Sequence, residues 1–303
     1  WGAVRGPCRR SCWRPQPLPF GSPSTTTLER TTIGSNGVLL VTARLNAGVF
    51  TWDFRRRTST GPTTGTWTVG ASMAKPRASH AATSLMDGRV LAVGGISGSG
   101  GTAEIYDEGL GSWTSTAAPL GYHVGHTATE LSDGSVLVVG YDAGVPTEIY
   151  DPQTDTWTAE PPMADNSYRA DHEAVRLSDG RVLIAGGDLG FPVNTAHIYD
   201  PQSHSWTQAA SMQSKRAYFA AVLLPSGNVL AVGGFFTYMA TAEIYDPAND
   251  TWAPAASLAT GRGIHKATLL GTGQVLVTGG TSGAILKSTE LFDVATNTWT
   301  VQT

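Results

Sequence analysis

Cysteine is almost missing from this chain: 303 residues contain only Cys8 and Cys12, both ahead of the first repeat. The repeats therefore depend on no disulfide, and the redox compartment is not written in them. A Cys-x3-Cys pair with no histidine beside it does not make a zinc set, and no metal or other cofactor is expected. Charge is scarce too, at 15% of residues with a formal net charge of −4. No broad basic field exists to hold a phosphate backbone, which argues against nucleic acid as a partner. Long apolar runs are also lacking, since Gly, Asp or Arg interrupts each one well before the roughly 20 residues that span a bilayer. No membrane association is expected. Residues 1–27 lack the charged, apolar and small-residue zones of a secretory signal. The chain opens on Trp1, as a fragment, a processed chain or an incompletely read gene would. Localisation is left undetermined, with a secreted or cell-surface bacterial setting as the expectation.

What the chain does have is glycine, 36 residues of it, and short runs of Val, Thr, Tyr and Trp. That composition suits many short strands joined by tight turns and predicts very little helix. One phrase recurs: "AEIYDEGLGSW" from Ala103, "TEIYDPQTDTW" from Thr147, "AHIYDPQSHSW" from Ala196, "AEIYDPANDTW" from Ala242 and "TELFDVATNTW" from Thr289. Aligned on it, Trp67, Trp113, Trp157, Trp206, Trp252 and Trp299 are spaced 46, 44, 49, 46 and 47 residues apart. A period in the forties is that of propeller blades.

The stretch from Arg169 to Met212 shows the unit. "RADHEAVRLSDG" alternates and ends in a hairpin turn. "RVLIAGG" is an apolar strand closed by two glycines, which suit positive φ or close backbone approach. "AHIYDP" alternates Ile198 with Tyr199 and turns at Asp200-Pro201, and "HSWTQA" is a fourth strand. Four such strands bury little alone, so each sheet is expected to be stabilised by the next around a ring, with Tyr and Trp filling the seams.

An opening Arg, Gly-Gly after the second strand, Glu-x-Tyr-Asp-Pro in the third and Trp in the fourth resemble the kelch repeat. The resemblance implies an all-β β-propeller of four-stranded blades. Six blades are expected from the tryptophans, at residues 28–73, 74–118, 119–163, 164–212, 213–258 and 259–303. Trp13, 24 residues before Gly37, leaves room for a seventh in the parent protein. The first blade is degenerate: Ala43-Arg44 stands at the Gly-Gly position and "RRTSTGP" at the Glu-x-Tyr-Asp-Pro position. Terminal divergence explains this, and so does a shifted reading frame in residues 1 to about 60, where Arg, Pro, Ser and Trp abound. Residues 1–27 are then an irregular leader or the remnant of another blade.

The strand before each Asp-Gly turn should lie innermost, and its approach begins with Arg77, His123, Arg169, Arg216 and Arg262. On the functional reading these crown a rim that binds anions, since guanidinium groups fit carboxylate and sulfate; by resemblance, some kelch propellers contact acidic peptides there. On the structural reading each Arg bonds loop carbonyls and a neighbouring blade's Glu104, Glu148, Glu243 or Glu290. Two residues on, Ser79, Gly125, Asp171, Tyr218 and Ile264 should share the rim's face by alternation. They differ from blade to blade, as a site requires, and Asp171 and Tyr218 are the candidates to orient a ligand. His80, His126, His172, Phe219 and His265 follow and should pack between sheets. Loops after the glycines add Tyr141, Asp142, Asp188, Phe191, Phe235, Phe236 and Tyr238, a set whose several aromatics suit a sugar or protein surface.

The resemblance extends to kelch-type copper radical oxidases, whose site needs two tyrosines and two histidines, one tyrosine crosslinked to cysteine. Tyr218 falls where one ligand tyrosine belongs, but no cysteine lies outside the leader. Sialic acid epimerases of kelch type would suit an Arg-lined pocket with Asp171 or His123 as base. The reading that asks least of the residues is a non-enzymatic module, monomeric or part of a larger chain, that recognises a protein or glycan at its loop-rich mouth.

Overall fold

The computed structural model describes residues 26–34, 37–46, 49–56, 69–96, 101–141, 144–163 and 169–302, with side chains from residue 69 onward except that of Tyr141. Among them every regular element is a strand, and no helix is long and apolar enough to cross a membrane. Cys8, Cys12, Trp13, Trp67 and Asp142 lie outside the described residues.

Five four-stranded antiparallel sheets follow one another along the chain. The first comprises Ala81–Ser84, Val90–Val93, Ala103–Asp107 and Ser112–Ser115. The second comprises Val124–Glu130, Val136–Tyr141, Thr147–Asp151 and Thr156–Ala159. The third comprises Glu173–Arg176, Val182–Ala185, Ala196–Asp200 and Ser205–Ala209. The fourth comprises Ala220–Leu223, Val229–Val232, Ala242–Asp246 and Thr251–Ala255. The fifth comprises Lys266–Leu269, Val275–Thr278, Thr289–Asp293 and Thr298–Gln302. The leading strands are neighbours in chain order, so the sheets fan about a common axis as propeller blades.

Ahead of them, Thr26–Gly34, Gly37–Asn46 and Val49–Arg56 form a three-stranded meander, whose first strand lies beside Ala81–Ser84. Its middle strand runs through Ala43-Arg44, where the other repeats have glycines and their second strands stop after four to six residues.

In the first four four-stranded sheets the second strand is the most buried, because its two faces serve two seams. Val229 and Ala231 point into the core shared with the third sheet, while Leu230 and Val232 point into the core shared with the fifth. A strand buried on both sides needs a continuous apolar run, and "VLAV" supplies it. The recurring aromatic pair sits across the third and fourth strands. Tyr245 faces Trp252 with ring centroids 5.0 Å apart, and Tyr150–Trp157, Tyr199–Trp206 and Phe292–Trp299 repeat this at 4.7, 5.1 and 4.8 Å.

The indoles of the second to fifth sheets also tie each sheet to the one before. Trp252 Nε1 donates to Ala210 O at 2.9 Å, Trp157 to Ala117 O at 2.9 Å and Trp299 to Ala256 O at 2.8 Å. Two residues earlier, Asp155, Asp250 and Asn297 stand at φ of 53, 50 and 52° and accept from Ala117, Ala210 and Ala256 N. Asp and Asn there serve both needs, tolerating the left-handed turn and supplying the acceptor. Trp252→Ala is expected to lower stability by about 3–5 kcal/mol, and Trp252→Phe by about 1 kcal/mol for the lost hydrogen bond. Guanidinium unfolding of the two variants measures the split between ring volume and hydrogen bond; equal losses would contradict it.

Candidate functional site

The four arginines and His123 do not crown the mouth. Arg77, Arg169, Arg216, Arg262 and His123 are all at most 1% exposed, turned into their own sheets. Arg216 Nη1 donates to Gly233 O at 2.7 Å and Thr241 O at 2.9 Å, and its Nη2 to Thr241 Oγ1 at 3.0 Å and Glu243 Oε1 at 2.9 Å. Arg77 engages Gly94 O, Thr102 and Glu104 in the same way, and Arg262 engages Gly279 O, Ser288 and Glu290. Arg169 bonds Gly186 O and Thr195, with His197 at the glutamate's position. In the second sheet His123 Nε2 meets Glu148. The glutamates belong to the same repeat as their arginine, not to a neighbouring blade. They also hold the link that enters it: Glu243 accepts from Gln213 N at 2.6 Å and Ser214 N at 3.1 Å. A guanidinium whose fork is filled by carbonyls and a carboxylate has no geometry left for a ligand. The anion-binding rim is thereby corrected to a buried latch.

The axis is lined instead by the residues two positions further on, through a feature that strand alternation does not capture. Ser79, Asp171, Tyr218 and Ile264 have φ of 54, 54, 53 and 56°, and Gly125 has 61°. All five are therefore left-handed, a conformation that disfavours side chains and β-branched ones most. Their backbones join around the axis: Asp171 N donates to Gly125 O at 2.7 Å, Tyr218 N to Asp171 O at 3.1 Å and Ile264 N to Tyr218 O at 2.8 Å. The amides of Asp171, Tyr218 and Ile264 are spent on neighbouring carbonyls, so these three form no anion nest.

His80, His126, His172, Phe219 and His265 come next and are buried between sheets as expected. Their rings explain the glycine pairs. A Cβ on Gly233 would stand 2.4 Å from the His265 ring of the next sheet, and one on Gly187 would stand 2.8 Å from Arg169 Cγ. At Gly94, Gly186 and Gly233 the first glycine admits the neighbour's ring, whereas the second meets Arg169 at Gly187, Met239 at Gly234 and the Gly263 carbonyl at Gly280. Burial pulls the His172 and His265 pKa values down to about 3, so both stay neutral.

Within the ring lies a cavity of about 290 Å³, lined among others by Thr127, Asp171, Glu173, Tyr218, Ile264 and Lys266. Asp171 accepts a hydrogen bond from the Tyr218 hydroxyl. Desolvation nevertheless dominates and pushes the Asp171 carboxyl up to about 6, with nearby Asp188 adding like-charge repulsion. Tyr218 is raised by burial and by the same two carboxylates. Asp188 pairs by its backbone with Ala170, and its Oδ1 is buried with no hydrogen-bond partner among the described residues.

An aromatic wall continues from Tyr218. Its ring lies 5.6 Å from Phe235 and 6.3 Å from Phe236, and Phe235 meets Tyr238 edge-on at 5.5 Å. Phe236 and Phe191 are 51% and 58% exposed, and Lys215 Nζ stands 5.9 Å over the Phe191 ring. The structure thus gathers Asp171, Tyr218, Phe235 and Tyr238 at the mouth, with Phe191 on an exposed loop of the preceding sheet. The side chain of Tyr141 lies outside the description. Thr127, Glu173 and Lys266 are cavity residues that the sequence reading passed over, although each stands two residues after a ring position.

The donors do not fit a copper radical centre. Tyr218 is followed by Phe219, His126 Nε2 bonds Val93 O at 2.9 Å, and His172 Nε2 bonds Thr127 Oγ1 at 2.9 Å. Among the described residues no group of three or more His, Cys, Asp or Glu could hold a metal ion.

Comparison with known proteins agrees with the architecture. Residues 174–213, 216–259 and 266–303 match the Kelch motif family model. No curated protein matches the chain. Among solved structures, a fungal alcohol oxidase of the AA5 family, described as having catalytic diversity and solved in complex with copper, superposes with a TM-score of 0.65 at 19% identity. The alignment covers 91% of this chain but 62% of the oxidase. At that identity the likeness speaks for the fold alone. Kelch motifs occupy the last three repeats, and the sheets fanned about one axis give the chain the architecture of a kelch-type β-propeller.

Proposed function

We propose that the chain is a non-enzymatic recognition module that seats a protein or glycan ligand at the ring of Ser79, Gly125, Asp171, Tyr218 and Ile264. The observation that carries this reading is Ile264. A β-branched residue held at φ 56° while 53% exposed has strain without burial to offset it. Contact with a ligand accounts for keeping it. The neighbouring ring residues differ in type, so the mouth has the asymmetry that a specific ligand needs. Recognition of acidic sugars through arginine loses its basis, because those side chains are closed inside the sheets.

Wild-type protein, Ile264→Gly and Phe236→Ala on a glycan array and a peptide array test the reading. Ile264→Gly should stabilise the fold by about 1 kcal/mol through relief of the left-handed conformation, and both variants should bind more weakly. Binding unchanged in both, or silence of the wild type on both arrays, would overturn the mouth as the site. One observation favours a second reading as a sugar-active enzyme: a carboxyl held near 6 lies in the working range of a general acid or base. Turnover of a glycoside that disappears in Asp171→Asn would establish it.

A further inference from the structure

The apolar and acidic features of the mouth are concentric. Six exposed large apolar side chains surround the axis on its loops and links: Ile96, Tyr122, Phe191, Phe236, Ile264 and Ile285, all between 44% and 86% exposed. Inside them lies the cavity with Asp171 and Glu173 in its wall and Lys266 as the opposing charge. Beside Asp171, Asp188 Oδ1 is a buried acceptor awaiting a donor among the described residues. Donors for an anion are scarce there, since the amides of Asp171, Tyr218 and Ile264 bond neighbouring carbonyls and the arginines are latched.

We infer, on the footing that the mouth is the binding site, that its ligand is a protein segment inserting a lysine or arginine side chain into the axial cavity. The match is one of shape and charge together. Such a side chain has an apolar stem and a cationic head. The head would reach Asp171, whose negative charge Asp188 reinforces from behind, while the apolar rim excludes water around it, which is how interface anchors gain their strength. Half of the rim is isoleucine. Aliphatic side chains suit the apolar surface of a protein better than a sugar ring, which favours aromatic faces.

A phage library of random dodecapeptides panned on the immobilised full chain tests this. Enriched peptides should share a Lys or Arg flanked by apolar residues. The consensus peptide should lose at least about 10-fold in affinity when norleucine replaces its basic residue, and as much against Asp171→Asn, whereas Lys266→Gln should bind it more tightly. Acidic or charge-indifferent consensus peptides, or equal binding of the norleucine peptide, would overturn the inference. So would a glycan ligand lost in Phe236→Ala with no peptide enriched, but that outcome would leave the mouth as the site. No ligand of either kind would overturn both.

Discussion

Arg216→Ala is expected to lower the unfolding free energy by about 3–5 kcal/mol, the range for stripping one partner from a buried ion pair. The guanidinium is 0% exposed and Glu243 3%. Burial alone would pull the Arg216 pKa down, and Glu243 works against that pull by hydrogen bond and charge. Removing the arginine leaves Glu243 buried with only the Gln213 and Ser214 amides, orphans Gly233 O, and leaves Thr241 O with only the Gly233 amide. Arg216→Lys should recover little, since one ammonium cannot reach a set of acceptors arranged for a planar fork. The readout is urea unfolding together with amide exchange in Ala220–Leu223 and Val229–Val232. Ligand affinity of the surviving folded fraction should not change. A variant with wild-type stability and lost binding would restore Arg216 to the mouth.

This latch marks the limit of what was legible in the residues. Strand periodicity, the glycine pairs and the Tyr–Trp spacing specify the sheets, because each is a local rule repeated five times. The same rule misplaced Arg216. Alternation would put Arg216 and Tyr218 on one face, but it applies only to extended backbone. Tyr218 is left-handed, and the strand begins at Ala220. The reversal turns the arginine into the sheet and Tyr218 toward the axis. One signal was present: the corresponding residue is glycine at 125, and glycine where other repeats have Asp or Tyr points to positive φ. Likewise Asp155, His204, Asp250, Asn297 and Gly111, each two residues before a tryptophan, are mostly types that tolerate this conformation, and all have positive φ. The cavity's charge was less legible, since the approach of Asp188 to Asp171 depends on how two loops close, which no spacing encodes.

Asp171→Asn should act in the opposite direction to Arg216→Ala, and that contrast separates site from scaffold. The folded chain holds the Asp171 proton up to about 6, whereas the unfolded carboxyl releases it near its ordinary value of 3.8. Between those values the carboxyl binds more protons in the native than in the unfolded state, so its contribution to stability falls as pH rises through the window and stays lower above it. His172 and His265, neutral in the fold at about 3 but protonated below about 6.5 in the unfolded chain, add a slope of the opposite sign, and because both proteins carry it, it cancels when variant and wild type are compared. Asparagine keeps an acceptor for the Tyr218 hydroxyl without a charge to desolvate. At pH 7 the variant should therefore be more stable than wild type by about 3 kcal/mol, at 1.36 kcal/mol per pKa unit, and at pH 4 the two should nearly coincide. Urea midpoints measured from pH 4 to 8 would show the curves diverge. Equal destabilisation at every pH would mean that Asp171 is a structural group. A residue whose removal stabilises the fold while weakening ligand binding at least about 10-fold is one held in place by function, at the expense of stability.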